Sequence, residues 1–146
     1  MPDKKKTLAR ATAFLAVAVP ALMASADDAP ARALRAQRID ACMELHQQIF
    51  ACQSEFAALF TKDVPPERQA AARARVIADI TRDGSGPEEP RRQACAATVD
   101  RTPPTSRERV SAFQAVLADC RSKSDCTARA ACLWPVVTAL RARDGK

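Results

Sequence analysis

The sequence predicts an all-α protein, a four- or five-helix bundle stapled by disulfides. Apolar residues recur at alternating spacings of three and four, which is the periodicity of a buried helix face, and no useful stretch shows the period-two alternation of a strand. Six cysteines are spread along the chain, and an even number in a small exported protein is typical of a disulfide framework. Both observations favour helices that are cross-linked to one another.

The first 26 residues have the features of a cleaved secretory signal peptide. A basic leader is followed by the apolar run 11–24, and Ala24-Ser25-Ala26 has the small residues that signal peptidase requires. The apolar run is shorter than the roughly 20 residues that cross a bilayer. We therefore expect a Sec-type signal of bacterial type, one mature domain over residues 27–146, no membrane insertion after cleavage, and a periplasmic or secreted location.

The charge of the mature chain argues against a nucleic-acid partner. The first 26 residues hold four of the 23 basic side chains and one of the 17 acidic ones, so the mature chain keeps 19 and 16, a net charge of +3. Those basic side chains are spread among acids, without a long basic block or interleaved aromatic residues. No nucleic acid is expected to bind.

The first predicted helix runs from about residue 29 to residue 61. Asp28 is a plausible N-cap, and Pro30 suits the first turn. The helical apolar seam consists of Cys42, Leu45, Ile49, Cys52, Phe56 and Leu59. Two consecutive prolines after Asp63 end this helix.

Two shorter helices are predicted next, over residues 66–82 and 88–101. The first uses Val76, Ile77 and Ile80 among alanines and ends at the glycine-rich stretch 83–87. The second opens with two acidic residues and Pro90, a composition that suits the positive end of the helix dipole, and carries Cys95.

The last two predicted helices begin after residues 105 and 124. Thr105 with Glu108 forms a capping box, and Ser124 is a candidate cap for a helix that starts at Asp125. Their apolar seams are Val110, Phe113, Leu117 and Cys120, then Cys126, Ala130, Leu133, Val137 and Leu140. Pro135 is expected to kink or split the last helix.

Helix geometry restricts the possible disulfide pairs. The expected disulfide cysteines are Cys42, Cys52, Cys95, Cys120, Cys126 and Cys132. Cys42 and Cys52 would lie about 15 Å apart along one helix, whereas bonded partners need Cα atoms within roughly 7 Å. Our hypothesis is that each joins a cysteine after Ser106 and that Cys95 takes the remaining partner.

One residue cluster suggests metal chemistry. Cys42 and His46 lie four positions apart on one helix face with Met43 beside them, a soft ligand set that suits Cu(I). The alternative is that Cys42 is bonded, Met43 fills the core and His46 lies at the edge of the seam. We prefer that alternative, and therefore predict no cofactor and no metal site, because no second Met or His lies nearby.

Catalytic motifs are absent from the sequence, so an enzyme is not favoured. The chain has no Cys-x-x-Cys pair, no nucleophile elbow and no glycine-rich phosphate loop. Trp134 beside Pro135 is either a core residue, which we prefer, or an anchor for a protein partner. The function that remains is an exported protein-interaction or envelope-stress module of unknown partner, with a soft-metal or thiol-active protein using Cys42, Met43 and His46 as the alternative.

Overall fold

All regular structure in the part of the chain that the computed structural model describes, residues 28–144, is α-helical. The helices are α1 (Ala29–Ala51), α2 (Gln53–Phe60), α3 (Pro66–Gly84), α4 (Glu88–Arg101), α5 (Arg107–Arg121) and α6 (Cys126–Asp144). The predicted all-α, disulfide-stapled bundle is confirmed. The predicted signal peptide, residues 1–26, lies outside the described residues.

The number of helices is six because the predicted first helix is interrupted at Cys52. The backbone there leaves helical geometry, with φ −120° and ψ 35°, and the Cys52 N–H donates to the carbonyl oxygens of both Gln48 and Ile49 at 3.2 Å. Helix α2 resumes at the next residue. The prediction of one unbroken helix over residues 29–61 is therefore wrong at this point, although its two ends are close to those observed.

Helix α1 lies against most of the bundle. It packs against α3, α4 and α5, while α6 packs against α2 and α5. The main hydrophobic core consists of Ala41, Leu45, Cys52, Phe56, Leu117, Cys120, Ala130, Leu133 and Val137. Most of these residues belong to the predicted apolar seams. The 3-4 periodicity therefore identified which face of each of these helices is buried.

A second, smaller core lies between α1 and α4. Its buried members are Ile39, Cys95 and Val99, and Cys42 and Met43 pack against them partly buried. This core is separate from the main one. It fixes α4 against the N-terminal half of α1 and holds the cysteine and histidine cluster described below.

Polar caps define the starts of the last two helices. Ser106, not Thr105, is the N-cap of α5, where its Oγ accepts a hydrogen bond from the Arg109 N–H at 3.4 Å. At the start of α6 the Ala128 N–H donates to Asp125 Oδ1 at 2.8 Å, which lowers the pKa of Asp125. Each predicted cap, Thr105 and Ser124, is thus one residue too early. Asp28 does precede α1, but its side chain makes no capping hydrogen bond.

Pro135 was expected to kink or split the last helix; α6 is one continuous helix through Pro135, so the split does not occur. Pro135 is exposed, and the Thr138 hydroxyl donates to the carbonyl oxygens of Trp134 and Pro135 at 3.0 Å. Such back-bonding of a threonine hydroxyl to preceding carbonyls often bends a helix slightly. No helix within residues 28–144 has the length and apolar character needed to cross a bilayer.

Candidate functional site

Every cysteine is paired in one of three disulfides. Cys42 joins Cys95 with Cα atoms 5.8 Å apart, which ties α1 to α4. Cys52 joins Cys126 at 5.2 Å and ties the break between α1 and α2 to the start of α6. The third bridge, Cys120 to Cys132 at 5.4 Å, ties α5 to α6. The bridges therefore connect five of the six helices.

The predicted pairing was right for Cys52 and wrong for Cys42. Cys52 does join the C-terminal part of the chain, but Cys42 joins Cys95, which precedes Ser106. The remaining bridge is confined to the C-terminal part. Cys120 and Cys132 can meet because the chain turns at residues 122–125, between α5 and α6.

The Cys42–Cys95 bridge forms a cluster with the only histidine of the chain. The ligand atoms of Cys42, His46 and Cys95 all lie within 4.8 Å of one another. Cys42 and His46 are four residues apart on α1, so both side chains project from one face of that helix towards α4. Cys95 has no exposed surface, Cys42 is partly buried and His46 is exposed. The cluster therefore opens to solvent on the histidine side.

The surroundings of His46 favour its neutral form. Desolvation by neighbouring groups lowers the pKa of His46, the Arg91 guanidinium lowers it further, and the carboxylate of Asp83 acts in the opposite direction. The net effect is a lowered pKa although more than a third of the residue is exposed. A neutral imidazole retains a free nitrogen lone pair, which is the form that binds a metal.

Sequence analysis found two of these three residues and missed the third. Cys95 is separated from Cys42 by 53 residues, and only the packing of α4 on α1 brings it to His46. Met43, the third residue of the predicted set, packs into the small core and lines the neighbouring cleft. No local pattern in the sequence could have indicated Cys95, because the side chains meet through a long-range contact.

A shallow cleft of about 430 Å³ runs beside this cluster between α1, the end of α3 and α4. Acidic and basic side chains line it together, and Arg92 pairs with Asp40 across it at 3.0 Å. Arg91 also lines it, and the buried Nε of Arg91 has no hydrogen-bond partner among the described residues. The mixed charge of the lining does not select one class of ligand.

A second group of possible ligands already has structural roles. Asp119, Cys120 and Cys132 come together at the junction of α5 and α6. The Asp119 carboxylate pairs with the Lys123 ammonium at 3.0 Å, and the two cysteines are bonded to each other. A cross-link beside a surface ion pair explains this group without a metal.

Aromatic and cationic side chains form a separate surface where α2 meets α6. We name Phe60, Lys62, Trp134 and Arg141 the aromatic surface. The rings of Phe60 and Trp134 meet edge to face with centroids 5.1 Å apart. Arg141 lies over the Phe60 ring at 4.5 Å and Lys62 over the Trp134 ring at 6.0 Å. Both rings pack on the main core and remain partly exposed.

Trp134 therefore combines the two roles that the sequence left open. Its ring contributes to the core, as we preferred, and part of it remains exposed beneath Lys62. Sequence analysis identified neither Lys62 beside Trp134 nor Arg141 beside Phe60, because both contacts depend on how α2 packs against α6.

No family model matches the chain, and comparison with the curated proteins and with the solved structures gave no match either. The functional argument consequently rests on the geometry described above.

Proposed function

We propose that this protein is an exported, non-enzymatic module that binds a protein partner through the aromatic surface. The observation that supports this most directly is the partly exposed Phe60–Trp134 pair with a cation on each ring. Tryptophan and arginine are enriched among the residues that contribute most to protein–protein binding. A rigid ring pair also loses little conformational entropy when a partner binds.

The charge of the aromatic surface favours an acidic partner. Lys62 and Arg141 are both exposed and neither pairs with a carboxylate among the described residues. Carboxylates at the edge of a partner's binding surface would meet these two cations, while an apolar partner side chain would cover the rings. Such charge complementarity acts mainly on the association rate and on specificity.

The cysteines support the compartment that we propose. Three disulfides indicate an oxidising environment, because cytosolic thiols are kept reduced. Together with the predicted Sec-type signal, this supports the bacterial periplasm or the cell exterior. A disulfide-braced binding module could act there by binding other proteins during envelope stress.

Charge variants test this proposal without disturbing the core. The double variant Lys62→Ala/Arg141→Ala removes both cations from the aromatic surface. The matched control Arg73→Ala/Arg75→Ala removes two exposed positive charges from α3. Each protein is immobilised and exposed to solubilised envelope proteins, and any partner that the wild type retains is then titrated against all three.

We expect the Lys62/Arg141 variant to bind that partner at least about tenfold more weakly, and the control variant to bind as the wild type does. Added salt should weaken wild-type binding, since the contacts are between exposed charges. If both double variants bind alike, or if the wild type retains no partner, the proposed surface is wrong.

A further inference from the structure

We propose that Cys42, His46 and Cys95 form a soft-metal site for Cu(I) that is closed by the Cys42–Cys95 disulfide and opened by its reduction. This inference goes beyond partner binding. It also concerns a different part of the molecule, the contact of α1 with α4. In the structure Cys95 takes the place of Met43 in the predicted ligand set, and Met43 packs into the small core. The redox state of the disulfide decides whether the two sulfurs can bind an ion.

The proposal rests on the geometry of the contact between α1 and α4. The ligand atoms of the three residues lie within 4.8 Å of one another, and the Cα atoms of the two cysteines are 5.8 Å apart. A metal with bonds of about 2.3 Å to sulfur holds two thiolates no more than about 4.6 Å apart. Breaking the disulfide would therefore leave the two sulfurs at a separation that one ion spans.

Contacts other than the disulfide hold the two helices together. Ile39 of α1 and Val99 of α4 are buried in the small core. Arg35 binds Asp100 through two hydrogen bonds of 2.7 Å, and Arg92 pairs with Asp40 at 3.0 Å. Along α4 these contacts lie on both sides of Cys95, with Arg92 before it and Val99 and Asp100 after it. We therefore expect α1 and α4 to stay together after reduction.

The ligand chemistry matches a soft monovalent ion. Two thiolates and one imidazole suit Cu(I), which prefers sulfur and nitrogen over oxygen. Cys95 lies in an apolar core, where water does not compete for the metal, and His46 lies at the solvent side, where an ion enters. Arg91, one turn before Cys95 on α4, partly offsets the negative charge of a bis-thiolate complex.

The opening step requires a dithiol reductant. A thiolate of the reductant attacks the Cys42 sulfur, the more exposed of the two, and Cys95 leaves as a thiolate that takes up a proton. The second thiol of the reductant then displaces Cys42 from the mixed disulfide, so that two electrons and two protons reach the protein and the reductant becomes a disulfide. Cu(I) then binds both sulfurs and releases the two protons.

The other two bridges lack a histidine. Cys120 and Cys132 have only the Asp119 carboxylate beside them, a hard ligand already paired with Lys123. No further histidine, cysteine or carboxylate joins the Cys52–Cys126 bridge in the described part of the chain. The proposal therefore applies to one bridge of three, and the other two provide controls.

The test is a Cu(I) titration under anaerobic conditions. The protein is reduced with dithiothreitol, desalted and titrated with Cu(I) against a chromophoric Cu(I) chelator. The oxidised protein should bind no Cu(I) in this competition, and the reduced wild type one ion per chain. His46→Ala should bind at least about tenfold more weakly, because loss of a partner that merely orients a ligand already costs 10–100-fold. The control Cys120→Ser/Cys132→Ser should bind as the wild type does.

Alkylation of the loaded protein locates the ion. Cu(I) should protect Cys42 and Cys95 from iodoacetamide and leave the other four cysteines reactive. Equal affinity in Cys42→Ser/Cys95→Ser, unchanged affinity in His46→Ala, or protection of other cysteines would each overturn the proposal. Loss of the helical circular dichroism on reduction would overturn it as well, because the site requires α1 and α4 to remain together.

Discussion

The close contact between the end of α3 and α1 depends on a residue without a side chain. Gly84 is the last residue of α3, and a Cβ atom built on it would lie 2.6 Å from Phe50 Cδ2 and 2.8 Å from Phe50 Cβ. Real Cβ atoms essentially never approach a neighbour so closely. Phe50 is held at its own Cβ by α1, so it cannot simply rotate away, and one of the two helices has to shift.

We therefore predict that Gly84→Ala destabilises the protein by about 1–3 kcal/mol, the usual cost of overpacking. Gly86→Ala is the matched control, because nothing lies within 4 Å of its Cβ position, and should stay within about 0.5 kcal/mol of the wild type. Urea denaturation followed by circular dichroism measures both. Equal stability of the two variants would mean that α3 does not need this contact.

His46 gives the stability of the protein a defined pH dependence. Burial of part of its ring and the Arg91 charge lower its pKa in the folded state, so the unfolded chain takes up a proton first as the pH falls. Protonation then favours unfolding, and the stability present above the ordinary histidine pKa of about 6.5 is lost as the pH falls from there through the lowered value. Asp83 opposes this effect but does not reverse it.

Accordingly, we expect the free energy of unfolding of the wild type to decrease between about pH 7 and pH 5, and His46→Gln to show a weaker decrease. Denaturant titrations at a series of pH values measure both slopes. Histidine charge would have no part in the stability if the two proteins had the same slope over this range.

Helix ends show where residue-level prediction stops. Thr105 and Ser106 are both able to cap α5, as are Ser124 and Asp125 for α6, and the sequence does not distinguish neighbouring candidates. The backbone decides: Ser106 has an extended conformation, with ψ 158°, that directs its Oγ at the Arg109 N–H. Helices α5 and α6 were therefore predicted correctly, but the cap of each was predicted one residue too early.

At the scale of helices, α1 and α3 are similar in length but differ in how they are attached to the rest of the bundle. Helix α1 contributes several buried residues and two disulfides lie at or next to it. Helix α3 has 19 residues but none that is fully buried, and it has no cysteine. It packs on α1 and α2 through half-buried side chains such as Ile80, with a hydrogen bond of 2.7 Å from Thr81 to Gln53.

This difference predicts uneven local stability. We expect the backbone amides of α3 to exchange with deuterium faster than those of α1 and α5, because local opening of α3 exposes little apolar surface and breaks no cross-link. Hydrogen exchange with mass spectrometry of peptides from residues 66–84 and 107–121 gives the comparison. Protection of α3 equal to that of α5 would show that the whole bundle opens as one unit.

The break at Cys52 marks the limit of prediction for helices. Periodicity continues from α1 into α2, since Leu45, Ile49, Cys52 and Phe56 all contribute to one core. A single residue that leaves helical geometry does not disturb this pattern, so the sequence indicates one helix where there are two. In α6, conversely, Pro135 suggested a kink or a split, but the helix continues past it as one element.

For the molecule as a whole, composition and periodicity were sufficient to predict the fold class. The 3-4 periodicity of the apolar residues and the six cysteines led to a helical bundle braced by disulfides. The pairing of Cys42 with Cys95 and the neighbourhood of Trp134 were not predictable, because both depend on which helices lie side by side. Local periodicity identifies the apolar face of a helix but not its neighbour.

The three disulfides are expected to stabilise the molecule unequally, because they close loops of different length. Each joins one cysteine that is at most 1% exposed to one that is partly exposed, so replacement by alanine removes similar packing in each case. The separations are 53 residues for Cys42–Cys95, 74 for Cys52–Cys126 and 12 for Cys120–Cys132. Loop-closure entropy then gives about 4 kcal/mol for each long loop and about 3 kcal/mol for the short one.

We predict that the paired alanine variant of the short loop, Cys120→Ala/Cys132→Ala, is the most stable of the three. The paired alanine variants of the two long loops should be less stable. Urea titrations under non-reducing conditions measure the differences, and helical circular dichroism in the absence of urea confirms that each variant folds. A small domain has only about 5–15 kcal/mol of stability in total, so loss of any one bridge should lower the denaturation midpoint clearly. If the short-loop variant were the least stable, restriction of the unfolded chain would not be the main contribution of these bridges, and their effect would lie in the contacts they enforce between α5 and α6.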